Sequence, residues 1–384
     1  MKKKVLLCVL AVAVAATTMV GCKKNGTTGS AEGDVIKIGM FGPLSGPVAT
    51  YGLSVKEAVQ LAEKEVNAKG GINGKKVQVI FEDDQANPNQ AVNAFNKLVD
   101  SEKVSAIIGG VTSGATAAVA QKATQRKIPM LTPTATEPSI TKVGGEYVFR
   151  SCYLDSFQGI SMAKYAANDL GKKTAAVLYN VGDDYSKGIA ESFKKEFEAQ
   201  GGKVVEYMSY NKDDKDFNAQ LTKIKGSNPE VLMLPDYYNV VGVIAKQAKS
   251  LGITSQLIGV DGWDSSDLYK IGGDSVKGGQ FINHYFQGDT AEQVKSFVDA
   301  YSKEYNKKPD ALAALGYDAA KLMFKALEDA KTTDGAKVRD ALAKLTLDGA
   351  TGKISFDSDR NAVKGASILK VEGENYSLVK KINP

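Results

Sequence analysis

The chain has 384 residues, 43% of them hydrophobic and 24% charged, with 49 Lys and Arg against 44 Asp and Glu for a net charge of +5. That is ordinary for a globular protein, and the length suggests two domains. The surplus of positive charge is too small to argue for nucleic acid or for an anionic membrane face as a partner.

The first segment stands apart. Lys2, Lys3 and Lys4 precede an apolar run from Val5 to Ala16, and Met19-Val20-Gly21-Cys22 closes it. A basic start, a short apolar core and small residues before a cut read as a signal peptide over 1–21. The run is shorter than the ~20 apolar residues that a membrane-spanning helix needs. Hydrophobic-x-Gly-Cys at its end resembles the bacterial lipobox, with Met19 where leucine is usual. The resemblance implies cleavage before Cys22, lipid on its side chain and amino group, and a protein held at the extracytoplasmic face of the cell membrane. Residues 22–34, ending KKNGTTGSAEGD, then form a lipid-anchored flexible tether, since Gly, Ser, Thr and charge have nothing to bury. Processing removes Cys8, and acylation of Cys22 leaves Cys152 with no disulfide partner. Loss of the three lysines brings the net charge from +5 to +2.

From residue 35 apolar runs alternate with stretches of helical period. VIKIGMFGPLSG is a strand entering a Gly/Pro loop, and YGLSVKEAVQLAEKEVNAKGG is a helix ending in glycines. KKVQVIFEDD, VSAIIGG and IPMLTP are strands, with helices over PNQAVNAFNKLVDSE and SGATAAVAQKATQRK between them. The plan then repeats. Strands KTAAVLYN, KVVEYMSYN, EVLMLPDYY and SQLIGVDGW alternate with helices IAESFKKEFEAQGG, DFNAQLTKIKGSNP and NVVGVIAKQAKSLGI. Two more helices, EQVKSFVDAYSKEYNKK and ALAALGYDAAKLMFKALEDAK, precede strand-like GKISFD and ASILKVEGENYSLVKKI. The expected fold class is α/β: two similar lobes, each a mainly parallel sheet flanked by helices.

Open parallel sheets bind ligands beyond the carboxyl ends of their strands. Six loops meet that description, GPLSGPVATYG, GGVTSGAT, TPTATEP, YNVGDDYSKG, LPDYYN and VDGWDSS, and two facing lobes bring them to one cleft. Ser113 lies near the start of a helix, where free N–H groups and the dipole favour an anion; it also suits a plain N-cap. Thr134 and Thr136, in a loop stiffened by Pro133 and Pro138, add a carbonyl and a hydroxyl. Across the cleft, Asp261 can pair with an ammonium group or serve as a turn residue in its Asp-Gly dipeptide. Tyr51, Tyr185 and Tyr237, with Trp263 close by, suit walls for an apolar side chain. The assembly matches a zwitterion with an apolar tail, a free amino acid.

Five of these loops, all but LPDYYN, together with NAKGGINGKKV, EDDQANPNQAV and FRSCYLDSFQG, resemble the branched-chain amino-acid-binding proteins, the extracytoplasmic receptors of an ATP-driven (ABC) importer. The resemblance covers residues 35–384 and implies a type 1 periplasmic-binding fold with a hinged ligand cleft. It implies Ser113 and Thr136 on the ligand's α-carboxylate. The Thr134 carbonyl, the Thr136 hydroxyl and Asp261 would take the ammonium, with Tyr51, Tyr185 and Tyr237 around the side chain. It further implies strand exchange near residues 155, 282 and 360, giving an N-terminal lobe of 35–155 plus 283–360 and a C-terminal lobe of 156–282 plus 361–384. Asp261 stands where the leucine/isoleucine/valine binders carry glutamate, and PDALAALGYDA has Leu and Ala where an aromatic wall residue is expected. The implied partners are a small-molecule amino acid and ABC permease subunits, with the membrane reached only through the lipid anchor, no nucleic acid, no cofactor and no metal. The protein is expected to be a monomer.

Other classes find little support. No G-x-S-x-G elbow or Cys/His cluster is present, GGVTSGAT lacks the lysine of a phosphate loop, and GMFGPLSG is not G-x-G-x-x-G. The single histidine, His284, is placed near a lobe crossing rather than in a cleft loop. The remaining alternatives keep the fold and change the ligand to an amide or other small organic molecule, or the job to that of a ligand-loaded sensor.

Overall fold

The computed structural model describes residues 35–383; the expected signal peptide, lipidation at Cys22 and tether lie outside the described residues. The first sheet takes β1 (Val35–Gly42), β2 (Lys76–Asp83), β3 (Ala106–Gly109), β4 (Met130–Thr132) and β5 (Val148–Arg150), in the order β2-β1-β3-β4-β5 and parallel throughout. Helices α1 (Ala49–Ala68), α2 (Pro88–Asn96), α3 (Ser113–Gln125) and the short α4 (Ser139–Gly144) connect these strands. β3, β4 and β5 are buried along their whole length, as continuous apolar runs covered on both faces should be.

After α5 (Asp155–Lys164) the second sheet begins. Its strands are β6 (Thr174–Asn180), β7 (Lys203–Tyr210), β8 (Val231–Met233), β9 (Gln256–Gly259) and β10 (Gln280–Asn283), with α6 (Asp184–Ala199), α7 (Asn218–Ser227), α8 (Tyr238–Ser250) and α9 (Asp267–Gly272) between them. The parallel part runs β7-β6-β8-β9-β10, the order of the first sheet counted from its own first strand. Then α10 (Glu292–Tyr305), α11 (Ala311–Ala330) and α12 (Gly335–Leu342) follow, and α11, buried over most of its length, packs along α1. A small antiparallel sheet of β11 (Thr346–Gly349), β12 (Gly352–Phe356) and β13 (Ala362–Val363) precedes β14 (Ala366–Val371) and β15 (Tyr376–Ile382), which extend the second sheet, β14 antiparallel to β10 and β15 antiparallel to β14. Among the described residues no helix is long and apolar enough to cross a membrane.

Repetition of the plan is as the sequence led us to expect, but each lobe carries a fifth parallel strand, β5 or β10, beyond the four read from the sequence. The run ASILKVEGENYSLVKKI is a hairpin and not one strand: Glu372 N–H bonds back to the Asn375 carbonyl. Helix α5 carries Gly159 in its interior, which weakens any sequence signal for a helix. The structure shows why glycine stands there: a Cβ would come within 2.7 Å of the Ile189 carbonyl and 2.9 Å of the Phe193 nitrogen on α6. Close approach of these two helices outweighs the lost propensity.

Candidate functional site

The six loops picked from the sequence meet in one cleft, lined by Tyr51, Val111, Thr112, Ser113, Thr134, Thr136, Tyr185, Tyr237, Asp261, Gly262 and Leu312. Its cavity volume is about 30 Å³, well below the range for small-molecule sites, so the walls are drawn together in this structure. Seven of the eight residues picked from the sequence are there. Trp263 is the exception and corrects that expectation: it is fully buried, its indole N–H donates to the Leu234 carbonyl at 3.0 Å, and its ring packs beside Phe281 in the core. A short 3₁₀ turn, Asp261–Trp263, directs Asp261 into the cleft and the indole beneath it.

One wall comes from the loops after β3 and β4. Thr112 is the N-cap position of α3 and makes no side-chain cap bond; Ser113 is the first helical residue, and its Oγ accepts from the Glu137 N–H at 3.3 Å. The alternative of Ser113 as a plain N-cap is therefore not what the fold uses. The alternating threonines divide their work. Thr132 Oγ1 donates to the Gly110 carbonyl at 2.7 Å and Thr134 Oγ1 to the Val111 carbonyl at 2.6 Å, so two hydroxyls stitch the two loops together. Thr136 remains for the cleft, beside a carboxyl, Asp155, whose affinity for its proton burial pushes well up and the Thr136 hydroxyl partly restrains.

The opposite wall centres on Asp261. Tyr185 Oη donates to its Oδ1 at 2.6 Å and accepts from the Gly262 N–H at 3.0 Å, which fixes the direction of the hydroxyl. A side chain at Gly262 would put a Cβ 2.7 Å from that oxygen. Asp183 caps α6 through the Tyr185 N–H at 3.0 Å and so places the ring in the first turn. Tyr185 and Tyr237 stack with centroids 4.9 Å apart, and Tyr51 meets Tyr237 edge-on at 5.8 Å. Tyr185 thus serves as a hydroxyl donor as much as a wall.

His284 is where the sequence reading fell short. It stands one residue past the carboxyl end of β10, fully buried, and its Nε2 lies 2.8 Å from Asp261 Oδ2. Burial pulls its pKa from 6.5 down to about 4 despite the carboxylate, so at neutral pH it is an uncharged N–H donor that steadies Asp261 without cancelling its charge. The usable signal was position, a lone histidine at a parallel-strand end, but β10 itself was not legible.

The cleft is closed by contacts between its walls. Tyr51 Oη donates to the Gly262 carbonyl, Tyr238 Oη to the Pro47 carbonyl at 3.0 Å, and Thr50 Oγ1 lies 3.3 Å from Ser265 Oγ. Among the described residues no group of three or more His, Cys, Asp or Glu could hold a metal ion.

Two lobes of identical strand order, closing on a small polar-and-aromatic cleft, define a two-lobed small-molecule receptor. The sequence profile of the Periplasmic binding protein family matches residues 35–375, and the chain belongs to that family, with its type 1 fold. It is 34% identical to the leucine-, isoleucine-, valine-, threonine- and alanine-binding protein of Pseudomonas aeruginosa over 85% of this chain and 87% of that one. Among solved structures, a leucine-binding protein from Thermotoga maritima superposes with a TM-score of 0.87 at 35% identity, covering 91% of this chain and 99% of the other. A branched-chain amino acid transporter substrate-binding protein from Streptococcus pneumoniae in complex with isoleucine gives 0.86 at 34% identity, covering 91% and 100%.

Proposed function

We propose that the protein is an extracytoplasmic solute receptor that captures a free branched-chain amino acid by hinge closure and delivers it to the permease of an ABC importer. The observation that carries this reading is the division of one closed cleft between an anion-binding wall, Ser113 and Thr136, and a cation-binding group opposite, Asp261, with Thr134, the tyrosines and Leu312 between. A zwitterion needs both ends met at once. Ser113, Thr136 and the first N–H groups of α3 take the carboxylate, and Asp261 with the Thr134 carbonyl and the Thr136 hydroxyl takes the ammonium. Leu312, on α11, supplies aliphatic surface for the side chain.

The lobes are assigned as 35–155 plus 283–360 and 156–282 plus 361–384. Membership of β1–β5 in one sheet, packing of α11 on α1, and return of β14 and β15 to the other sheet support this division. Opening about the crossings would break the Tyr51–Gly262 and Tyr238–Pro47 contacts and free the ligand. Attachment through lipid on Cys22 would keep a monomeric receptor beside its permease.

Calorimetric titration of residues 35–384, refolded to strip carried-over ligand, tests the reading with Leu, Ile, Val, Phe, Ala, Thr and several α-amides. Tight binding of Leu, Ile or Val is expected. Folded protein that gives no heat with any amino acid would overturn it, and heat with the amides alone would move the ligand to that class.

A further inference from the structure

Arg150, the last residue of β5, is fully buried, yet among the described residues it forms no ion pair. A buried charge with no carboxylate bonded to it is costly; Glu137 and Asp357 lie near enough to favour the charge, but neither touches it. Its direct partners are neutral oxygens: Nη1 donates to the Ala135 carbonyl at 2.7 Å, Nη2 to the Glu137 carbonyl at 2.6 Å, and Nε to Asn361 Oδ1 at 3.1 Å. Two of those three belong to the loop that forms the anion-binding wall.

The peptide between Ala135 and Thr136 is trans, so its N–H points away from its carbonyl. With the guanidinium on the Ala135 oxygen, the Thr136 N–H is turned to the far side, and Thr136 lines the cleft. That N–H has no acceptor within the described residues. Hydrogen bonding to the carbonyl of a peptide polarises its N–H. A second route runs beside it: the Glu137 N–H donates to Ser113 Oγ, leaving the Ser113 hydroxyl proton free to donate to a ligand. None of the residues lining the cleft is a lysine or an arginine, and Asp155 nearby holds its proton tightly through burial.

We infer that Arg150 is a positioning residue that supplies the missing countercharge for the ligand's carboxylate, acting through the Ala135–Thr136 peptide and never touching the ligand. It holds the loop so that the Thr136 N–H and the Ser113 hydroxyl face the anion, and its unpaired charge sits behind them. The inference deepens the amino-acid reading above and rests on it.

The test uses purified protein and two variants, Arg150→Lys, which keeps the charge, and Arg150→Gln, which keeps a donor and loses the charge. Calorimetry gives the Kd for leucine and for leucinamide, which lacks the anionic carboxylate. For Arg150→Gln, leucine is expected to weaken about tenfold to a hundredfold and leucinamide by less than about threefold; Arg150→Lys should keep the preference for leucine. Equal weakening of both ligands in the glutamine variant, the result of a merely loosened loop, overturns the inference, as does loss of preference in the lysine variant. Should the variants not fold, the wild-type Thr136 amide-proton resonance decides: a large downfield shift with leucine and not with leucinamide is expected, and no difference overturns it. Wild-type protein that binds no amino acid would instead remove the reading on which the inference rests.

Discussion

In the proposed reading, the two ends of the cleft hold opposite charges of one ligand by different means. Asp261 would meet a cation with a full charge of its own, and its neighbours, the Tyr185 hydroxyl and the neutral His284 ring, orient that group without neutralising it. The wall opposite would meet an anion with hydroxyls, backbone N–H groups and a helix start, with the Arg150 charge held a peptide's width behind. The contrast has a physical basis. A single buried carboxylate can be paired by the ligand itself, whereas a cation in the wall beside Asp261 would pair with that acid and close the site.

The largest effect should come from the charged end. Asp261→Ala is expected to cost about 2–5 kcal/mol of amino-acid binding, read by calorimetry; unchanged affinity would remove the ammonium assignment. Ser113→Ala, at the neutral end, should cost about 1–3 kcal/mol, and a loss as large as that of Asp261→Ala would erase the contrast between the two ends. His284→Leu should weaken binding by about 1 kcal/mol through a freed Asp261 oxygen, while His284→Gln, which keeps a donor, should bind nearly as the wild type. Trp263→Phe should leave affinity untouched and lower stability by about 1–3 kcal/mol; weakened binding without loss of stability would return Trp263 to the site.

His284 also carries a pH signature. The unfolded chain takes up its proton near 6.5 and the folded protein only near 4. Stability due to this group therefore falls as pH drops from about 6.5 to about 4, by up to about 3 kcal/mol. Asp236 and Asp264, both pushed up to about 7 by burial, act with the opposite sign, because the folded state takes their protons first. Wild-type and His284→Gln melting curves across that window should thus diverge as acid is added, the variant losing less; parallel curves would contradict a buried neutral imidazole. Outside the described residues, inhibition of lipoprotein signal processing should leave an uncleaved precursor, and normal maturation would sink the role of Cys22.

Much of this was legible along the chain because it is local. Strand runs, helical periods and the loops between them repeat in order, and the position of a loop at a parallel-strand end follows from the sheet. That was enough to find Ser113, Thr134, Thr136, Asp261 and the three tyrosines. The misses share a cause. Trp263 is two residues from Asp261 in the chain, yet the turn they share sends one side chain to the cleft and the other to the core. His284 follows a four-residue strand whose buried setting exists only once β9 and β14 flank it.

The sequence alone determined the α/β alternation, the doubled plan and the family, because periodicity and turn chemistry act over a few residues. Only the tertiary structure decided which hydroxyls stitch loops and which face the ligand, and that a histidine and an arginine stand behind the site's two walls. Those partners lie up to hundreds of residues apart, Arg150 with Asn361 among them. Buried polar groups must find partners wherever the packed chain brings them, and no local pattern records that choice.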